Sequence, residues 1–150
     1  ISAMDKGGKL YAPSNKLRSL CLPEMEPMTY GVSWLWNHEA LLGSPIHTCV
    51  VGAARAADLD QPSVAAHLQG KQPDDVLAKV KIIQGRLDKS AEEVLGKEWL
   101  ESCYEGVPKS NKSKYAVEHN QIVWAHNLIK AWGMHGFAKD RYTSLENNRK

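Results

Sequence analysis

The chain has 150 residues, 43% of them apolar and 24% charged, which is ordinary for a globular protein and enough material for one modest core. Nineteen basic residues against seventeen acidic ones leave a formal charge of +2, interspersed except near Lys109 to Lys114, so nothing calls for a nucleic-acid partner. No apolar run is long enough for a transmembrane segment, no signal sequence is visible, and three scattered cysteines, Cys21, Cys49 and Cys103, argue against a disulfide framework and for a reducing compartment. The chain opens at Ile1 rather than Met, which leaves room for residues upstream.

In chain order, Ile1 to Tyr11 reads as the end of a strand followed by a Gly-rich loop. Lys6, Gly7, Gly8 and Lys9 can cradle a phosphate, because glycines admit a close backbone approach and lysine supplies charge; the same pattern also serves plain surface turns. Pro13, Pro23 and Pro27 punctuate residues 12–27, which reads as an extended connector. Cys21 lies in that connector and is a candidate reactive thiol if Arg18 depresses its pKa, although no base is in view. Pro27 suits the first turn of a helix whose apolar face is Tyr30, Val32, Leu35, Trp36 and Leu42, stopped by Gly43-Ser44-Pro45; Trp34 falls off that face.

Ile46, Thr48, Cys49, Val50 and Val51 form a β-branched run that reads as a strand buried on both faces, with Cys49 an inert core thiol. Gly52, Ala53 and Ala54 then give a small-residue corner into a helix, where a ligand can approach the backbone beside Arg55. A short helix through Val64, Ala65 and Leu68 stops at Gly70. Pro73-Asp74-Asp75 starts another, with Val76, Val80, Ile83 and Leu87 as its stripe, and Ser90-Ala91-Glu92-Glu93 reads as a capping box opening a third, with Val94, Leu95 and Trp99 as contacts. Ile122, Val123, Ile129 and Trp132 supply the core side of a later helix that ends at Gly133.

The histidines give no metal set. His119 and His126 are seven residues apart, so on a helix they share a face two turns distant and are too far apart to chelate one ion; His38 with Glu39, and His47 near Cys49, lack further ligands.

Val50-Val51-Gly52-Ala53 resembles the last strand and helix start of the aldo/keto reductases, a (β/α)8 barrel family that uses NADP(H). Ser2-Ala3 and Gly7-Gly8-Lys9-Leu10 resemble that family's loop over the cofactor pyrophosphate, with Ala3 in place of a usual Pro. The resemblance implies an α/β fold, the last quarter of a TIM-like barrel (strand, loop, helix, strand, helix) over residues 1–70. A helical C-terminal extension would follow over 71–150, making the chain mostly helical overall. It also implies cofactor contacts at Lys6, Gly7, Gly8, Lys9, Gly52, Ala53, Ala54 and Arg55. The phosphate positions depart from the family: Ala54 stands where Ser is common, Asp58 where Arg or Gln is common, and Gln61-Pro62 where Glu-Asn is common.

Ser102-Cys103-Tyr104-Glu105-Gly106-Val107-Pro108 resembles the end of an iron–sulfur motif carried by a subset of the family, and Tyr115 to Trp132 and Phe137 to Leu145 resemble its following helices. Only Cys103 remains there, so the segment cannot hold a four-thiolate cluster by itself. The family's Asp, Tyr, Lys and His tetrad has no positions in this chain. The resulting expectation is a non-catalytic, aldo/keto-reductase-like structural or docking subunit without a cofactor. Its partners would be other protein subunits of a larger assembly, of the photosynthetic or respiratory kind, in an organelle matrix or stroma. The alternative is the C-terminal part of an NADP(H)-dependent aldehyde or ketone reductase whose catalytic half lies elsewhere.

Overall fold

Ser14 begins the first helix by accepting a hydrogen bond from the Leu17 amide at 3.0 Å, which satisfies one of the amide donors that a helix start leaves open. In this computed structural model, which describes residues 13–53, 55–108 and 118–147, the order of elements is α1 (Asn15–Cys21), α2 (Pro27–Trp36), α3 (His38–Leu42), a 3-10 turn (Ala56–Leu59), α4 (Asp60–Lys71), α5 (Pro73–Leu95), α6 (Lys97–Ser102), α7 (His119–Trp132) and α8 (His135–Asn147). The chain divides into two compact units, Ile1–Arg86 and Leu87–Lys150, with the division falling inside α5.

In the first unit α2 packs chiefly against α4. Met28, Val32 and Ala65 are almost fully buried between them, with Trp36 and Val51 packed alongside. Polar groups fix the register. The Gln61 side chain accepts from the Met28 amide at 3.1 Å, capping α2 from a distance in sequence, because Glu26 makes no side-chain cap. Asn37 donates to Gln69 Oε1 at 2.9 Å, and Tyr30 donates to Gln84 Oε1 at 2.9 Å. Arg86 closes the unit: its guanidinium donates to the Leu20 and Leu22 carbonyls at 3.4 and 3.0 Å and grips both Glu24 oxygens at 2.5 and 2.8 Å. A planar fork with several donors suits this mixed target of carboxylate and helix-end carbonyls. That pairing holds Glu24 below the usual carboxylate range.

Val76, Val80, Ile83 and Leu87 are all buried, so the stripe expected on α5 is its buried face. Such side chains contribute about 1.5–3 kcal/mol each when fully buried. In the second unit α7 and α8 pack together, and Ala91, Ala131, Met134 and Ala138 are buried. Gly43 and Gly133 end α3 and α7 at φ of 76° and 68°, as their positions in the sequence predict.

The barrel expectation is overturned. Ile46 to Val51 forms no strand, and among the described residues there is no strand at all, hence no α/β barrel fragment; what the structure retains of that expectation is its predominance of helix. A β-branched run becomes a strand only when another segment completes its ladder of hydrogen bonds, and no such segment exists among the described residues. Val51 packs on the α2–α4 core, while Val50 is 53% exposed. The strand expected near Ile1 lies outside the described residues.

Three local expectations also change. The connector contains α1, because the Ser14 cap and the buried pair Leu17 and Cys21, four residues apart, outweigh the flanking prolines. The helix begun at Pro27 breaks at Asn37, and its buried face is Met28, Thr29, Val32 and Ser33 rather than a stripe reaching Leu42, which is 63% exposed. Ser90 opens no new helix. Its hydroxyl donates to the Ala131 carbonyl at 2.9 Å, and α5 runs through to Leu95 before Gly96, at φ 81°, breaks it from α6.

Candidate functional site

The Gly52 corner ends in a carboxylate clamp. Arg55 and Asp58 flank the start of the 3-10 turn, and the Asp58 carboxylate accepts from the Arg55 amide at 3.0 Å and from its guanidinium at 3.0 and 3.3 Å. Asp58 is buried at 6% exposure, whereas the Arg55 side chain is 77% exposed. The backbone donor and the cation expected to meet an adenosine phosphate thus already face an internal anion. A second anion brought to them meets that carboxylate at a cost of about 1 kcal/mol or more, so the residues present fit a phosphate poorly. Gln61, at another expected phosphate position, is committed to α2: besides its side-chain cap, its carbonyl accepts from Thr29 Oγ1 at 3.3 Å. Gly52 and Ala53 lie in the irregular segment before the turn; Lys6, Gly7, Gly8, Lys9 and Ala54 lie outside the described residues.

Neither Cys21 nor Cys49 is activated as a nucleophile. Cys21 has no exposed surface, and burial, reinforced by the negative charge of Glu26, pushes its pKa up to about 11. Arg18, the cation expected to activate it, is bound to Glu26 instead, at 2.6 and 2.9 Å. Burial also raises Cys49. Cys103 accepts from Asn127 Nδ2 at 3.6 Å. Among the described residues there is no group of three or more His, Cys, Asp or Glu that could hold a metal ion.

A second feature lies wholly in the second unit. Two indole N–H groups fix its geometry. Trp132, at the end of α7, donates to the Leu87 carbonyl at 3.2 Å, and Trp99 of α6 donates to Asn127 Oδ1 on α7 at 2.8 Å. Trp99 also meets the His126 ring edge-on at a centroid separation of 5.5 Å, inside the range of about 4.5–7 Å usual for such pairs. Beside these anchors an open groove of about 490 Å³ is lined by Asp88, Ala91, Glu92, Lys97, Leu100, Glu101 and Trp132. Its lining holds three carboxylates and one ammonium beside three apolar residues. The ammonium lies 3.8 Å from Glu101.

No family model, curated protein or solved structure matches the chain. Its functional reading therefore rests on its own residues.

The groove was not foreseen from the sequence, because its lining comes from α5, α6 and the end of α7, as much as 44 residues apart from Asp88 to Trp132. The only local signal is the spacing 88, 91, 92 and 97, 100, 101, each a single helix face that mixes acids with apolar residues. Ile122, expected in the core, is 53% exposed.

Proposed function

We propose that this chain is a non-catalytic docking subunit of a larger protein assembly. The observation that carries the reading is α6. A surface helix normally turns its apolar side chains inward, yet α6 buries none of its residues, and Trp99 and Leu100 remain 39% and 37% exposed. Val94 and Tyr104, on either side of it in sequence, are 49% and 48% exposed. Exposed aromatic and aliphatic groups, with Trp99 held in place by its indole hydrogen bond, are the material of protein interfaces. The Asp58 clamp supports the non-catalytic half of the reading, since it occupies the donors a dinucleotide phosphate would use.

Two measurements test it. Native mass spectrometry of the protein purified from its own source under mild conditions is expected to show a species containing a second, different polypeptide. NADPH fluorescence is expected to stay unchanged when the protein is titrated at millimolar cofactor. A lone polypeptide in the first experiment, or saturable enhancement in the second, overturns the proposal.

A further inference from the structure

We propose that α1 is a strap fastened by the carboxylates of Glu24 and Glu26, and that acid releases it while the α2–α4 pair stays closed. Both carboxylates lie in the segment between α1 and α2, and each is gripped at both oxygens by a guanidinium. Arg18, within α1, holds Glu26 at 2.6 and 2.9 Å, and Arg86, on α5, holds Glu24 at 2.5 and 2.8 Å. Two-point pairing is the ion-pair geometry that contributes near a protein surface, where single contacts contribute little. Arg86 also takes the Leu20 and Leu22 carbonyls at the end of α1, so one side chain of α5 ties down both the helix end and the loop that follows.

Hydrogen bonds from Arg86 and Arg18 hold Glu24 and Glu26, respectively, below the usual carboxylate range. Lys79 adds its charge to that of Arg86 at Glu24. The negative groups that bear on Arg86 are Glu24 and the Cys21 thiol, and burial keeps that thiol neutral throughout the acid range, so Glu24 is the counter-ion. The sign follows from the lowered values: the hold is complete above the ordinary carboxylate value of about 4.3 and is lost as pH falls through the lower folded values. The α2–α4 seam has no such dependence. Its core is Met28, Val32 and Ala65 with Trp36 and Val51, none of them from α1, and its ties are uncharged, from the Met28 amide to Gln61 and from Asn37 to Gln69.

The test is hydrogen exchange followed by NMR on the whole chain, with protection at Leu17 to Cys21 divided by that at Val32 and Ala65 in the same sample. Between pH 6.5 and pH 3 this ratio is expected to fall by about tenfold or more. The Glu24→Gln/Glu26→Gln double variant keeps the side-chain shape without the charge. It is expected to show the low ratio already at pH 6.5 and to change by less than about twofold on acidification. Glu39→Gln, at an exposed carboxylate of the same unit, is expected to behave as the unaltered chain. A ratio that stays constant with pH, or a double variant with the unaltered chain's ratio at pH 6.5, would overturn the proposal. So would equal loss of protection at Val32 and Ala65, because acid would then unfold the unit as a whole.

Discussion

Cys21 is enclosed by α1 and its neighbours without exposed surface, and Arg18, three residues before it, turns away to Glu26. Its thiol is therefore protected rather than activated, and two outcomes follow. At pH 8 a thiol reagent such as DTNB should titrate Cys21 only after denaturant is added, while it remains silent in the folded chain. The pH dependence has a definite sign. The folded pKa, about 11, lies above the unfolded thiol value near 8.5, so the stabilisation is fully present below about pH 8.5 and is lost as pH rises towards 11. Denaturant midpoints at pH 8, 9.5 and 10.5 check this, and Cys21→Ser should flatten the decline assigned to the thiol. Ser90 gives a second residue-scale expectation. Ser90→Ala leaves the buried Ala131 carbonyl short of its donor and should cost about 1–3 kcal/mol in urea unfolding. A loss no larger than that of an exposed serine such as Ser63→Ala would show the bond to be dispensable.

Neighbouring positions on α5 separate burial from composition. Ile83 is fully buried and Ile82 is 48% exposed, so Ile83→Ala should lower stability by about 2–5 kcal/mol while Ile82→Ala changes it by less than about 0.5 kcal/mol. Similar losses from both would mean that the stripe does not face the core. This helix was legible because a stripe repeating every three or four residues from Val76 to Leu87 has one physical solution, and Pro73 and Gly96 mark its limits. The capping-box signal at Ser90 misled, because the same four residues also read as helix interior, and a serine can satisfy itself on a distant carbonyl that no local pattern reveals. Ile46 to Val51 failed for the complementary reason. Residue preference describes a suitability for pleated surfaces, while a strand also needs a neighbour, which composition cannot supply. In the sequence Asp58 shows only as an acid where the resembled family commonly has Arg or Gln; its grip on the Arg55 amide as well as the guanidinium came only with the turn geometry.

At the scale of the whole molecule, Arg86 makes the longest-reaching side-chain contacts among the described residues of the first unit. It reaches Leu20, Leu22 and Glu24 across 62 to 66 residues. Bringing two points that far apart along a chain into register costs on the order of 3–4 kcal/mol of closure entropy, a sum that one guanidinium must help to recover. α1 is therefore expected to lift as a latch that leaves the α2–α4 pair in place. Arg86→Met should speed amide hydrogen exchange at Leu17 to Cys21 by tenfold or more, about 1.4 kcal/mol, while Val32 and Ala65 exchange at their former rates. Once the latch lifts, Cys21 meets solvent, so a thiol label becomes a clock for that opening.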